Sequence, residues 1–140
     1  MKWQFNRAKH LKLGERGERL AVELVRSFGL VVVTTNFRIV GGEIDIIAWD
    51  GSQLCFIEVK TRRNNNFLGS PADAVGFKKR QRLAKAAKNY LMRIPAKSIC
   101  YRFDVIAISF DGKVLTDIRW LTDYFKAYEL KLKRYEFDYE

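Results

Sequence analysis

Residues 41–62 place acids and a lysine inside two apolar, strand-like runs. The first run contains Asp45, and the second contains Glu58 and Lys60. Burying a carboxylate without a partner is costly, so acids in such runs indicate a site. Carboxylate oxygens are ligands that Mg²⁺ and Mn²⁺ prefer. A metal ion held there can activate water and neutralise charge on a phosphate group, and a nearby lysine can add to that neutralisation. The pattern predicts phosphodiester cleavage.

The dipeptide Asp50-Gly51 joins the two runs and predicts a two-residue type I′ hairpin turn. In that register Asp45 faces Phe56, and Glu58 is its diagonal neighbour, roughly 7–8 Å away between Cα atoms. Lys60 shares their face because side chains alternate along a strand. Glu43 falls on this face opposite Glu58, as a spare ligand. The other face is apolar throughout: Ile44, Ile46, Ala48, Cys55, Ile57 and Val59. The alternative interpretation is a salt-bridged strand end at the surface.

A helix predicted over residues 15–29 precedes the hairpin, with an apolar stripe and Gly29 as its stop. Glu18 lies in the predicted first turn. It either interacts with the helix N-terminus or points at the metal site. Gly14 and Gly17 would allow the helix to approach another backbone closely.

The remaining pattern predicts one α/β domain over residues 1–140, in the order helix, strand, hairpin, helix, hairpin. Asp104 lies inside a predicted strand, and we interpret it as a structural partner of Arg102 or Arg38. The predicted elements are a buried strand over 30–35, a polar loop over 61–69, a helix start at Ser70-Pro71, a helix over 77–92, strands over 101–110 and 113–118 joined by Asp111-Gly112, and a short helix with a loose tail over 121–140.

The net charge of +10 is concentrated: residues 60–102 contain twelve Lys or Arg and a single acid. Such a field attracts polyanions, so the charge favours DNA or RNA over an acidic membrane surface. An amphipathic helix normally has a charged outer face, but that of helix 77–92 carries no acid at all. We expect the DNA-binding residues to be Arg62, Arg63, Lys78, Arg82 and Lys85.

Other classes of site are poorly supported by the composition. His10 is the only histidine, which argues against multi-histidine metal sites and most His-based catalytic triads. Cys55 and Cys100 lack zinc-ligand spacing and are expected to be small reduced core residues. No apolar run is long enough to span a membrane, and the N-terminus lacks the apolar core of a signal peptide. A cytoplasmic protein is expected.

Several linked motifs resemble one known family. The motifs, in chain order, are Gly14-Glu15-Arg16-Gly17-Glu18, Asn36-Phe37-Arg38, Gly42-Glu43-Ile44-Asp45, Phe56-Ile57-Glu58-Val59-Lys60-Thr61-Arg62, Gly69-Ser70-Pro71 and Arg102-Phe103-Asp104-Val105. Together they resemble the YraN-like bacterial family of predicted endonucleases, which is distantly similar to archaeal Holliday junction resolvases. The match covers roughly residues 13–125, leaving a lead segment and a tail outside it.

This resemblance implies a restriction-endonuclease-like fold of the PD-(D/E)XK superfamily, with a central mixed sheet flanked by helices. It implies that Asp45, Glu58 and the backbone carbonyl of Val59 bind Mg²⁺ or Mn²⁺. Lys60 would be the catalytic lysine and Glu18 the acid contributed by a helix. Resolvases work as dimers, so a homodimer acting on branched DNA is implied by analogy. No proline precedes Asp45, which is usual in resolvase-like branches.

Three functional hypotheses follow. The first is a Mg²⁺-dependent endonuclease that acts on structured or branched DNA in repair or recombination. The second is a non-catalytic DNA-binding or recombination-accessory protein on the same fold, for which loss of a site residue would be expected. The third is a protein-interaction scaffold, for which the charge and the intact acids would be coincidental.

Overall fold

The computed structural model describes residues 2–63, 75–95 and 98–126 of the 140-residue chain. Over these ranges the elements follow the predicted order of helix, strand, hairpin, helix and hairpin. They are α1 (Lys2–Ser27), β1 (Val31–Ile39), β2 (Gly42–Asp50), β3 (Gln53–Arg63), α2 (Phe77–Met92), β4 (Cys100–Asp111) and β5 (Val114–Phe125). The predicted bounds of α2 are confirmed. The loop predicted over 61–69 begins later than expected, because β3 continues to Arg63. Its residues 64–69 and the predicted helix start at Ser70-Pro71 lie outside the described ranges.

The five strands form one mixed sheet in the order β1-β2-β3-β4-β5, in which β3 and β4 are parallel and the other pairs antiparallel. Alternate residues of β3 enter two separate cores. Leu54 and Phe56 pack with α2, whereas Cys55 and Ile57 pack with α1. The helices therefore cover opposite faces of the sheet. This confirms the predicted α/β class and is consistent with a restriction-endonuclease-like fold.

Helix α1 ends where the sequence predicted but begins much earlier. Gly29 has φ +86° and its N–H donates to the carbonyl of Arg26, while Leu30 N–H donates to Val25, which is a Schellman ending. The predicted start at residue 15 was wrong, because the helix starts at Lys2. An apolar period marks only the part of a helix that packs, and a helix can extend beyond it.

The β2–β3 hairpin differs from its predicted register by two residues. Asp50 pairs with Gln53, so Gly51 and Ser52 form the turn. Among these turn residues only Gly51 has positive φ, at +57°, which fits a type II′ turn rather than type I′. Continuing the observed register places Asp45 opposite Glu58, not opposite Phe56, and moves Glu43 away from Glu58. A shift of two keeps the paired residues, from the turn to Ile46 and Ile57, on their predicted faces, because the side-chain period is two.

Strand β1 was expected to be buried, but it lies at the edge of the sheet with alternating exposure, and Val31 is 65% exposed. The shared apolar face predicted for β2 is also interrupted. Ile44 packs in the core under α2, whereas Ile46 packs in the core under α1. The interruption falls at Asp45, across from Asn36, whose φ of +53° breaks the extended backbone of β1. The alternation of side chains between the two faces of β2 is thus broken at Asp45.

The last hairpin corrects two further predictions. Asp111 pairs with Val114, so the turn is formed by Gly112 and Lys113. Strand β5 then continues to Phe125, where a short helix had been predicted; residues 127–140 lie outside the described ranges. Cys55 is buried as expected, but Cys100 is exposed at the start of β4. Within the described ranges, no helix is long and apolar enough to cross a membrane.

Candidate active site

Strands β2 and β3 separate at the position of Asp45. Their backbone pairing runs from the turn to the Ile46–Ile57 pair and stops there. Beyond that point, Asp45 Oδ2 accepts the N–H of Val59 at 2.8 Å. A side-chain carboxylate thus replaces a backbone acceptor, and this fixes the Asp45 carboxyl group against β3, next to Glu58.

Glu58 is buried, with 3% of the residue exposed, although glutamate is almost never buried unless it is paired. Its Oε1 lies 3.3 Å from the ammonium of Lys79. Its Oε2 is buried and receives no hydrogen bond from a donor among the described residues. Burial, followed by the charge of Asp45 and a hydrogen bond shared with it, raises the pKa of Glu58 to about 9. The two carboxyl groups therefore repel each other unless one holds a proton or a cation lies between them.

Lys79 is the cation that contacts these acids, and the sequence analysis did not single it out. Its Nζ lies 2.6 Å from Glu43 Oε1 as well as 3.3 Å from Glu58. Burial works against the charge of Lys79, but the hydrogen bond that Lys79 donates to Glu43 and the charges of the nearby acids outweigh it and raise its pKa. The sequence did contain a signal. Lys79 precedes Leu83 by four residues and Ala86 by seven, so it continues the buried stripe of α2.

Glu18 reaches the same site from α1. Burial and the charge of Asp45 raise the pKa of Glu18, and a hydrogen bond with Asn36 partly opposes the rise. The interpretation that Glu18 serves the helix N-terminus was wrong, because α1 begins sixteen residues earlier, at Lys2. A groove of about 520 Å³ between α1 and the β1–β2 hairpin contains Glu18 and Asp45 together with Glu15.

Gly17 brings α1 close enough for Glu18 to reach Asp45. A Cβ atom on Gly17 would collide with the hydroxyl of Thr61 in β3. Gly17 therefore allows the close approach that its sequence context predicted. Gly14, predicted to do the same, has open space at its Cβ position and does not need to be glycine for packing.

Lys60 and Val59 flank the acids on β3. Lys60 is half-buried and, by strand alternation, shares the face of Glu58. Among the described residues no ion pair of Lys60 is observed, and Lys79 occupies the position beside Glu58 instead. Val59 donates its N–H to Asp45. The catalytic role of Lys60 and a metal bond from the Val59 carbonyl remain predictions.

The predicted DNA-binding residues do not lie on one surface. Lys78, Arg82 and Lys85 are exposed on α2. Arg62 and Arg63 end β3, and alternation sends their side chains to opposite faces of the sheet. Arg63 lines a pocket against α1, away from the α2 residues. The single basic track predicted from the sequence is therefore divided between two faces.

The fold and the site define an α/β protein with a carboxylate cluster at the point where two central strands separate. A sequence model described as Uncharacterised protein family UPF0102 matches residues 17–108, and the chain belongs to that family. It is similar to UPF0102 proteins of Caldicellulosiruptor saccharolyticus (40% identity, 73% of this chain and 86% of the relative) and Geobacter metallireducens (42%, 73% and 83%). A UPF0102 protein of Chlorobium limicola is 43% identical over 79% of this chain and 84% of its own. The predicted membership of the YraN-like family is confirmed, and its relationship to resolvases and other nucleases stays a prediction.

Proposed function

We propose that this protein is a divalent-metal-dependent endonuclease that hydrolyses phosphodiester bonds in DNA, with branched DNA as its preferred substrate. The observation that carries the proposal is the pairing of Asp45 with the buried Glu58. Two carboxyl groups share a site, one oxygen has no donor, and the pKa of Glu58 is raised to about 9. Strongly perturbed acids in such positions are candidates for functional groups.

The donor set fits Mg²⁺ or Mn²⁺. A divalent cation at Asp45 and Glu58 would remove their mutual repulsion and give Glu58 Oε2 a partner. Among the described residues, no three acid, histidine or cysteine side chains lie close enough to hold an ion alone. Mg²⁺ does not need three, because it usually takes one or two carboxylates and keeps several waters. When bound, such an ion lowers the pKa of a water molecule and neutralises phosphate charge.

The surrounding residues have distinct roles in this proposal. Lys79 holds the Glu58 carboxyl group in place from α2, while Asp45 is held by the N–H of Val59. Glu18, whose pKa is raised, is suited to exchange a proton with water near Asp45. Lys60 would approach the substrate phosphate from the half-exposed side of β3. The resemblance to resolvases adds dimerisation, which sedimentation of the protein alone would test.

The charge supports a nucleic-acid substrate. The chain carries a net charge of +10, and the exposed face of α2 presents Lys78, Arg82 and Lys85 next to the turn that leads to Glu43. Lys85 lies close to that turn, since a Cβ on Gly41 would be 2.8 Å from its Nζ. Phosphate contacts provide much of the affinity for DNA, and they make it dependent on salt. Substituting Arg82 and Lys85 by alanine should weaken DNA binding and reduce its salt dependence; an unchanged slope would place the DNA elsewhere.

One observation favours the second candidate, a non-catalytic DNA-binding protein. Lys79 already supplies a positive charge beside Glu58, at 3.3 Å, so the acids have an internal counter-ion. In that case the acids and Lys79 would form a structural ion pair. Added metal would then neither stabilise the protein nor lead to cleavage of DNA. The two candidates therefore differ in their response to a divalent ion.

The deciding experiment is a cleavage panel. Labelled four-way junction, flap, single strand and linear duplex are incubated with the protein, with Mg²⁺, Mn²⁺ or a chelator. The test variants are Asp45→Asn, Glu58→Gln and Lys60→Gln. Asp117→Asn is the matched control, because Asp117 is an exposed acid paired with Arg119. We expect metal-dependent cutting, most of it on the junction, that falls at least about a hundredfold in the test variants only. Cutting that persists in Asp45→Asn would mark a contaminant and refute the mechanism.

A further inference from the structure

A second cationic site lies on the opposite face of the sheet from Lys79. A pocket of about 440 Å³ opens between α1, the end of β3 and the β4–β5 turn, and we call it the basic pocket. Four of its lining side chains are cations, and among the described lining residues there is no acid. The lining residues are Lys12, Leu13, Arg16, Arg63, Gly112 and Lys113.

One of these cations, Arg16, is held in place by the protein. Arg16 donates from Nη1 to the backbone carbonyl of Lys113 and stacks over the ring of Phe110 at 4.8 Å. Its side chain is therefore fixed at the rim although it is exposed. The close contact of Gly17 with Thr61 holds this part of α1 against β3. The rim thus exists before any ligand arrives, which reduces the ordering cost of binding.

Arg63 gives the independent indication of a ligand. Its Nε is buried and has no hydrogen-bond acceptor among the described residues. A buried donor without an acceptor costs free energy, and a guanidinium is well matched to a phosphate oxygen. The pocket brings three further cations around this donor. An oxyanion is the chemical group that would satisfy both observations.

We propose that the basic pocket binds a phosphate group, with the nucleic-acid backbone as its source. This extends the proposed function, since it adds a DNA contact that the catalytic cluster does not contain. Glu58 and Arg63 are five residues apart on β3, which is about 17 Å along an extended strand. The pocket therefore holds a phosphate several nucleotides from the bond at Glu58. It also gives a role to Lys12, which lies outside the segment that resembles the YraN-like family.

The test compares two double variants that lower the net charge by the same two units. The pocket variant is Lys12→Gln with Lys113→Gln, both exposed. The control is Arg119→Gln with Lys126→Gln, whose cations pair with exposed aspartates. Binding of a fluorescently labelled duplex is measured by anisotropy in chelator, over a range of salt. We expect the pocket variant to bind about tenfold more weakly, with a salt slope lower by about two, and the control to change little. Equal effects in the two variants would overturn the proposal.

Arg63→Gln gives a second reading, with circular dichroism as the check on folding. Millimolar inorganic phosphate should raise the melting temperature of the wild type, and this rise should disappear in Arg63→Gln and in the pocket variant. If phosphate or a nucleotide stabilises the protein through the pocket while duplex binding is unchanged, the source is a small molecule and the nucleic-acid occupant is overturned.

Binding in chelator does not depend on cleavage, so this proposal can fail separately from the proposed activity. If the wild type cuts no DNA but the pocket variant binds DNA more weakly, the pocket proposal is supported and the proposed nuclease activity is refuted. If the wild type cuts DNA and the pocket variant binds DNA as tightly as the wild type does, only the pocket proposal is refuted.

Discussion

Asp104 and Glu58 are both acids buried in neighbouring strands, and their surroundings differ. The side chain of Asp104 is completely buried and accepts four hydrogen bonds, at 2.8–3.1 Å, from Arg102 Nε (to both oxygens), Trp120 Nε1 and the N–H of Asp123. The side chain of Glu58 is 4% exposed, and one of its oxygens has no donor among the described residues. Satisfied buried acids stabilise and specify a fold; an unsatisfied one has a cost that function can explain.

The comparison predicts its largest effect at Asp104. Asp104→Ala would leave the Trp120 N–H and the Asp123 N–H without acceptors and would remove one partner of Arg102. We expect a loss of about 3–5 kcal/mol in the free energy of unfolding, measured by urea titration. Asp117→Asn, at an exposed ion pair, should change it by less than about 1 kcal/mol. A small effect at Asp104 would mean that its hydrogen-bond network is not structural.

At Glu58 we expect the opposite effect: the ionised carboxylate lowers the free energy of unfolding, whereas the carboxylate of Asp104 raises it. In the folded protein its pKa is about 9, above its ordinary value of 4.5. Below pH 4.5 the carboxyl group is protonated in both states; between 4.5 and 9 the unfolded chain loses a proton that the folded chain keeps. Stability should therefore fall as pH rises through this window, by at most about 1.4 kcal/mol per pH unit from this group.

Glu58→Gln isolates this contribution, because its amide still accepts from Lys79 and can donate to Asp45. In chelator at pH 8 we expect the variant to be more stable than the wild type by about 1–3 kcal/mol, and the difference to vanish near pH 4. Urea titrations at both pH values measure it. A variant less stable than the wild type at pH 8 would show that ionised Glu58 is stabilised by its surroundings, as Asp104 is.

A divalent ion should make Glu58 more like Asp104, because the ion would give the unsatisfied oxygen of Glu58 a partner. If Mn²⁺ binds Asp45 and Glu58, a concentration ten times the dissociation constant stabilises the folded wild type by about 1.4 kcal/mol, and more at higher pH, because the ligands must be deprotonated. The melting temperature should rise with Mn²⁺ in the wild type and not in Glu58→Gln. Asp117→Asn serves as control and should respond as the wild type does. An equal rise in Glu58→Gln would place the ion elsewhere.

The sequence predicted the elements well where one local signal determined them. The bounds of α2 follow from its apolar stripe, and the end of α1 follows from Gly29, which adopts positive φ. The structural role of Asp104 was also predicted, because Arg102 lies two residues away on the same strand face.

The predictions failed where distant parts of the chain compete. Asp50-Gly51 and Gly51-Ser52 are both acceptable turns, and the packed sheet selects the second, which places Asp45 opposite Glu58. The edge position of β1 depends on the order of the strands, which its β-branched run does not encode. Lys79 was overlooked because a lysine on a basic helix is usually solvated, and only the folded positions of Glu43 and Glu58 give it partners.

The smallest predicted effect concerns that partnership. Lys79 holds the pKa of Glu43 below its usual value, first through their hydrogen bond. The pair therefore stabilises the fold at pH values above the ordinary pKa of glutamate. This contribution is lost as the pH falls through the lowered pKa of Glu43. Lys79→Met should cost about 1 kcal/mol at pH 7, and the exposed Lys85→Met less than half of that. A double-mutant cycle with Glu43→Gln should give a coupling of about 0.5–1 kcal/mol at pH 7 that decreases as Glu43 is protonated at lower pH. Zero coupling at pH 7 would mean that Lys79 stabilises the fold through Glu58 and not through Glu43.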